Sequence, residues 1–282
     1  MHKIGIEKLI GAAIAGVDNA IIRSKREAVR IAIVGRPNVG KSSYLNCVLK
    51  KERAIVHHIA GTTRDATDTD FEYNGHEYIL IDTAGMRHDL KIKESADFYG
   101  SVRSKEAIKR ADIALVIIDG FDGLREDDGR VMDFVIRSGR GLVIAVNKWD
   151  LNEGVPDKKW LEMLTKKVNA AKNYPVIFMS CKTGKNVMRT LDTAWKVYEK
   201  WRSMIDKARI IELLKALNDI GEVRYNNIKI KSLVQDAVKP PSFTVLSKDA
   251  KSMKDNLKRQ IENFLRVNLD LEGIPVKVRF SK

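Results

Sequence analysis

Gly35-Arg36-Pro37-Asn38-Val39-Gly40-Lys41-Ser42 is the stretch that decides how this chain reads. It follows Ile31-Ala32-Ile33-Val34, an apolar run of the kind that forms a buried strand. It precedes Ser43-Tyr44-Leu45-Asn46-Cys47-Val48-Leu49-Lys50, which reads as a helix. A glycine-bracketed loop between a strand and a helix N-terminus turns successive backbone N–H groups toward one point, and the helix dipole adds partial positive charge there. The spacing therefore wraps residues 35–43 around a phosphate chain. Lys41 would reach the terminal phosphates, and the Ser42 hydroxyl would ligate Mg²⁺. An ordinary loop also fits eight such residues in isolation, so the surrounding chain has to discriminate.

From 30 to 200, strand-like runs (30–34, 69–74, 77–82, 112–118, 141–146, 175–180) alternate with amphipathic stretches (41–50, 101–110, 127–138, 157–171, 186–200). Such alternation predicts an α/β fold with a mostly parallel sheet flanked by helices on both faces. Asn74-Gly75 between two alternating runs predicts a tight hairpin, and hence one antiparallel pair at a sheet edge.

Three further motifs lie at the ends of predicted strands. Asp82-Thr83-Ala84-Gly85 offers a carboxylate able to hold Mg²⁺ through water, and a glycine whose N–H can approach a γ-phosphate. Asn147-Lys148-Trp149-Asp150 offers a carboxylate that can pair with guanine N1–H and its exocyclic amine. Adenine lacks that donor set and would leave buried groups unmatched. Asn147 would bridge to the base or the phosphate loop, and the Lys148 stem would lie along the base plane. Ser180-Cys181-Lys182 can offer a backbone N–H to the guanine O6. Between the first helix and the hairpin, Gly61-Thr62-Thr63-Arg64-Asp65 supplies hydroxyls, of which Thr63 would complete a Mg²⁺ shell only when a γ-phosphate is present. Motif order and strand-end placement agree on one guanine-nucleotide pocket, so the predicted ligands are GTP and GDP with Mg²⁺.

After residue 200 the pattern changes to helix (202–218), strand (227–234), strand (242–247), helix (251–268) and strand (275–280), a small α+β unit. The predicted organisation is a helix and linker over 1–26, a nucleotide domain over 27–200 and the α+β unit over 201–282.

On these motifs, and on the tail Lys239-Pro240-Pro241-Ser242-Phe243 through Val276–Phe280, the chain resembles the EngA (Der) family of GTPases, specifically a second GTPase domain followed by a C-terminal KH-like domain. The resemblance implies GTP hydrolysis and a role in assembly of the large ribosomal subunit through ribosome or rRNA binding. The alternative reading is a catalytically weak GTP/GDP-binding module that docks on RNA or the ribosome. The family carries two GTPase domains in tandem, whereas this sequence shows one. The stretch 2–10 echoes 183–191, the entry to the last helix of the nucleotide domain, which predicts a first GTPase domain that is missing or supplied by another chain.

The residue after Gly85 is Met86, which cannot orient an attacking water as the glutamine of Ras-like switches does. Arg36, Arg64 and Arg87 are the candidates for a charge-stabilising arginine, and Glu94 for a residue that positions water. In related GTPases an asparagine at the Asn38 position helps bind K⁺, so the resemblance implies slow, K⁺-stimulated turnover with Lys41, Thr63, Gly85 and Asn38 as the catalytic set. Arg53, His57 and His58 read as exposed loop, without the third ligand a metal site needs.

The tail lacks the Gly-x-x-Gly loop with which KH domains clamp nucleic acid, since 248–268 contains no glycine. Lys248, Lys251, Lys254, Lys258, Arg259 and Arg266 instead form a basic helix region suited to rRNA phosphates.

Bulk composition fits. The net charge is +14 over 282 residues, and residues 201–282 hold 17 Lys/Arg against 10 Asp/Glu. This surplus points to a polyanionic partner. Two cysteines, Cys47 and Cys181, support neither a disulfide framework nor a zinc site, and a reducing cytoplasm fits them best. In the opening residues Glu7 and Lys8 interrupt the apolar run, and Ile6, Leu9, Ile10, Ala13, Ile14 and Val17 follow the spacing of a helix (5–22) rather than a signal peptide; no run is apolar enough to predict a membrane span.

Overall fold

The computed structural model describes residues 27–50, 55–56, 67–84, 102–152, 154–224, 230–247 and 255–281; of 55–56, 220–224 and 255 it gives the backbone. The 5–22 helix and the segment holding Arg53, His57, His58, Arg64, Arg87 and Glu94 lie outside the described residues.

The strands in chain order are β1 (Val29–Val34), β2 (Ile55–Val56), β3 (Thr69–Tyr73), β4 (His76–Ile81), β5 (Ile113–Asp119), β6 (Gly141–Asn147) and β7 (Val176–Phe178). They form one sheet in the order β2-β3-β4-β1-β5-β6-β7. The pairs around β1, and those of β5 with β6 and β6 with β7, are parallel; β3 is antiparallel to both β2 and β4. The β3–β4 hairpin is the predicted one. Asn74 and Gly75 both adopt positive φ (50° and 75°), as a twist-matched two-residue turn demands. The two-residue β2 was not predicted; so short a strand leaves no periodic signal.

Strand alternation sorts the core into two layers. Ile31 and Ile33, Ile113, Leu115 and Ile117, and Val143 and Ala145 face one side, beneath α1 (Lys41–Leu49) and α5 (Val187–Arg202). Ala32 and Val34, Val116 and Ile118, and Ile144 and Val146 face the other, beneath α2 (Val102–Arg110), α3 (Glu126–Arg137) and α4 (Asp157–Lys167). Burial on both faces explains the unbroken apolar runs of β5 and β6. The predicted 157–171 helix stops at Lys167, because Val168 leaves the helical region (φ −131°, ψ 84°) and leads into a short 3₁₀ turn, Asn169–Asn173.

The remainder comprises α6 (Lys207–Arg224), β8 (Ile230–Ala237), β9 (Ser242–Ser247), α7 (Asp255–Asn268) and β10 (Lys277–Ser281), with sheet order β10-β9-β8. α6 begins five residues later than predicted. α5 continues to Arg202, and the Asp206 carboxylate accepts the Ala208 N–H at 2.7 Å to start the new helix.

This small unit packs onto the far end of the large sheet. Leu142 N–H at the start of β6 donates to Gly273 O (2.8 Å), and Gly273 N–H donates to Asn173 O (2.9 Å). The Trp201 indole N–H donates to Gly139 O (2.9 Å), and Lys239 N–H donates to Trp201 O (2.9 Å). The α5-side core layer continues through Trp201 into Leu213, Phe243, Ile261 and Leu265 of the small unit. Gly273 has φ 86°, and a Cβ there would stand 2.5 Å from a Val197 methyl. Gly273→Ala is therefore expected to destabilise the chain by roughly 2 kcal/mol, through both strain and overpacking. A lowered urea midpoint with an unchanged slope is the outcome that urea titration should show.

Candidate nucleotide-binding site

All four described motifs leave the C-terminal edge of the large sheet, where α/β folds place ligands. The phosphate loop follows β1 at the point where strand order reverses between β1 and β5. Its shape depends on two glycines. A Cβ on Gly35 would stand 2.3 Å from Ile117 O, so only glycine lets the loop lie against β5. Gly40, at φ 102°, caps α1, and a Cβ there would meet the Asn147 carboxamide at 2.3 Å. Asn38 is left-handed (φ 64°) and exposed, and Ser43, in the first turn of α1, is exposed too. Pro37 and Ser42 are half-buried, while Val39 anchors the loop in the core. The Lys41 ammonium donates to Gly35 O (3.1 Å) and Arg36 O (2.9 Å), so it arches back over the loop it belongs to.

Arg36 does not project toward a ligand. Its Nε donates to both oxygens of the fully buried Asp128 (3.0 and 3.1 Å), and its remaining nitrogens reach Asp122 and Gly123 O. Burial opposes the charge on the guanidinium, but Asp128 and Asp122 outweigh it and hold the pKa above the usual value. Burial pushes the Asp128 carboxyl up, offset in part by the Arg125 N–H and by Arg36. The consequence is a phosphate loop bolted to the first turn of α3. Arg36 is thereby removed from the candidates for a charge-stabilising arginine.

Asn147 joins the two halves of the site. Its Nδ2 donates to Val39 O (2.8 Å), and its Oδ1 accepts the Cys181 N–H (3.0 Å). Of the two bridging roles predicted for Asn147, the structure shows the one to the phosphate loop. Lys148 is left-handed (φ 59°), and its ammonium pairs with Asp119 at 2.6 Å. Asp119 also accepts the N–H groups of Phe121 and Asp122 (3.0 Å each). Residues 119–125 thus form a strut from the Lys148 head to Arg36. The run Asp119-Gly120-Phe121-Asp122-Gly123, a strand end with paired glycines, carried that signal in the sequence unread.

Asp150 is exposed at the rim, and its negative charge acts on the Cys181 thiol. Burial first, then Cys47 and Asp150, push that thiol up to about 12, so it stays neutral near pH 7. Ser180 is buried and accepts the Thr183 N–H through its hydroxyl (3.2 Å), whereas Lys182 is exposed. The Cys181 N–H is committed to Asn147 and is not the donor available to a base.

Asp82 ends β4 in a left-handed conformation (φ 58°). Its N–H donates to Asp68 Oδ1 (2.9 Å), and its carboxylate takes a bidentate pair from Arg103 at 2.5 and 2.6 Å. Thr63, Gly85 and Met86 lie outside the described residues.

Comparisons with known proteins follow this geometry. Residues 30–148 match the family described as 50S ribosome-binding GTPase. Residues 206–281 match the family described as the C-terminal KH-domain-like region of EngA bacterial GTPase enzymes. The chain belongs to the EngA (Der) family. It is similar to GTPase Der of Chloroherpeton thalassium (35% identical over 99% of this chain and 65% of the relative) and to that of Caldanaerobacter subterraneus subsp. tengcongensis (36%, with the same coverages). The chain therefore spans about two thirds of the length of these relatives. Among solved structures, Aquifex aeolicus Era bound to GDP·AlF4⁻ aligns over 89% of this chain and 91% of its own, at 20% identity and a TM-score of 0.40.

Of the basic residues predicted to face RNA, Lys248, Lys251 and Lys254 lie outside the described residues; Lys258 is half-buried and Arg259 exposed on α7. Arg266 is turned inward. It donates to Ile274 O (2.6 Å) and Leu271 O (3.4 Å), and sits 5.9 Å from the Tyr174 ring centre. That expectation is corrected: Arg266 closes the joint between the two units.

Asn147→Ala would strand Val39 O and the Cys181 N–H together. The expected loss is about 1–3 kcal/mol per stranded group. Denaturant titration without nucleotide measures it.

Proposed function

We propose that this chain is a GTP-binding and GTP-hydrolysing switch that acts in assembly of the large ribosomal subunit by docking on ribosomal RNA in the cytoplasm. The observation that carries the reading is the bridge from Asn147, three residues before the exposed Asp150, which ties the phosphate loop to the Ser180–Lys182 loop. In this reading Asp150 pairs with the guanine edge, and the Lys148 stem flanks its plane. Lys182 supplies the N–H to O6, since that of Cys181 is taken. The backbone N–H groups of residues 35–43 wrap the phosphates, and the Lys41 ammonium exchanges Gly35 O and Arg36 O for phosphate oxygens.

Ser42 and Asp82 follow neighbouring parallel strands, and both present hard oxygen donors. Such a set fits Mg²⁺, which keeps several waters and takes few protein ligands. Ser42, Asp82 and Thr63 would hold it; bound there, Mg²⁺ neutralises charge on the phosphate oxygens. Asn38, exposed and left-handed at the loop's outer turn, would hold K⁺ beside those oxygens, with Gly85 N–H on the γ-phosphate. Lys258 and Arg259 on α7, with Lys248, Lys251 and Lys254 before it, contact rRNA phosphates without reading bases. The family's ribosome-binding description and the basic surplus of residues 201–282 support that part.

Two measurements test the proposal. Asp150→Asn should shift nucleotide preference from guanine toward xanthine, whose C2 oxygen needs a donor; calorimetry with GDP, XDP and ADP reads the change. An unchanged preference removes Asp150 from base recognition. Replacing K⁺ by Na⁺ should slow single-turnover GTP hydrolysis several-fold, and equal rates would remove the Asn38 ion.

A further inference from the structure

The carboxylate assigned to Mg²⁺ is already engaged by a cation of the chain itself. Arg103, on the first turn of α2, grips Asp82 with Nε and Nη2 at 2.5 and 2.6 Å. Seven residues on, Arg110 pairs with Asp68, whose other oxygen accepts the Asp82 N–H. Two arginines two turns apart share one helix face. α2 thus clasps both the side chain of Asp82 and the residue that fixes its backbone. The backbone there has little freedom to yield. Thr83 is buried, its hydroxyl bonded to Thr67 O (2.9 Å) and Thr69 Oγ1 (2.7 Å), and Ala84 N–H donates to Thr67 O (3.3 Å). Only the Asp82 side chain or α2 can move.

We propose that Arg103 is a latch which competes with Mg²⁺ for Asp82, so that filling the metal site frees the N-terminal turn of α2. The proposal rests on the reading of Asp82 as the Mg²⁺ carboxylate. One carboxylate cannot present the same lone pairs to a guanidinium fork and to a metal-bound water shell. Mg²⁺ binding therefore costs the ion pair, and by linkage anything that holds α2 in place weakens Mg²⁺. Arg103 is more than half exposed (58%), whereas Asp82 is largely covered (17%). The arginine can leave into water while the carboxylate stays, so the latch opens on the helix side. Arg110, paired with the more deeply covered Asp68 (9% exposed), remains as the pivot at the other end of α2.

The test uses the full chain with a fluorescent, non-hydrolysable GTP analogue. Its affinity is measured first in EDTA, then across a Mg²⁺ titration, for the parent chain, Arg103→Gln and Arg103→Lys. With the latch removed, Arg103→Gln should bind Mg²⁺ about two- to fivefold more tightly, the scale of one well-formed surface ion pair. Arg103→Lys, which offers no fork, should fall between, and affinity in EDTA should be the same for all three. Amide exchange over residues 106–109, whose N–H groups bond the first-turn carbonyls, supplies a readout that needs no nucleotide: it should be faster in Arg103→Gln than in the parent chain when neither ligand is present. Unchanged or weaker Mg²⁺ binding in Arg103→Gln, with normal affinity in EDTA, overturns the latch and leaves the nucleotide reading standing. No binding of the analogue by the parent chain under either condition overturns both.

Discussion

The Asn147 carboxamide has two ends and spends both on backbone. One end takes the carbonyl before Gly40, and the other takes the N–H that opens the 180 loop. Neither loop belongs to a sheet ladder, and this side chain ties the 180 loop to a phosphate loop that Arg36 and Asp128 hold from the other side. Gly40 has to be glycine because Asn147 stands where a Cβ would go. β6 has to be buried to its last residue, because the carboxamide must emerge beneath both loops. The strut at 119–125 repeats the device with charge: Asp119 holds Lys148 on one side, and Asp122 and Asp128 hold Arg36 on the other. The 35–43 and 180–182 loops are thereby tied to each other by the chain's own bonds, a preorganisation that would lower the ordering cost of binding in the proposed reading.

Much of this was legible in the sequence because the relevant signals are local. Glycine at fixed offsets, apolar runs ending in Asp or Asn, and an Asn-Gly turn each act within a few residues. They placed the ends of the predicted strands of the large sheet to within two residues and the hairpin at its turn, and the unbroken apolar runs of β5 and β6 follow from burial on both faces. What escaped depends on partners far along the chain. Arg36 and Asp128 are 92 residues apart, and Arg103 and Asp82 are 21 apart. Nothing in the spacing of either arginine announces its carboxylate. Arg266 misled for a related reason. Its position among basic residues suggested a solvated face, but the carbonyls of Leu271 and Ile274 converge on it only once the turn after α7 folds back. The start of α6 was missed because α5 continued through a Trp-Arg pair that propensity alone treats as either helix.

The basic surplus divides into two populations. Arg202 and Lys239 both bind Glu27 at the entrance to β1, and Lys239 lies over the rings of Tyr198 and Trp201. Hydrogen bonding and charge from Lys239, with help from Arg202, hold the Glu27 carboxyl below its usual pKa. This contact persists above the ordinary carboxylate range and is lost as pH falls through the lowered value. These cations are structural cement. Lys258 and Arg259 instead act on the Glu262 carboxyl of their own helix, and net charge alone would have counted all four alike.

The joint at Gly273 and Leu142 has a geometric corollary. β6 is fully buried and hydrogen-bonded on both sides, so its seven residues form an inextensible rod of about 20 Å. One tip carries the carboxamide under the nucleotide loops; the other is welded to the small sheet. The span from the Asn147 carboxamide to the α+β unit is therefore a constant of the molecule. Any nucleotide-dependent change in its outline has to be written on the opposite flank, around β4 and α2, while the two welded parts keep a fixed frame against which that change is measured.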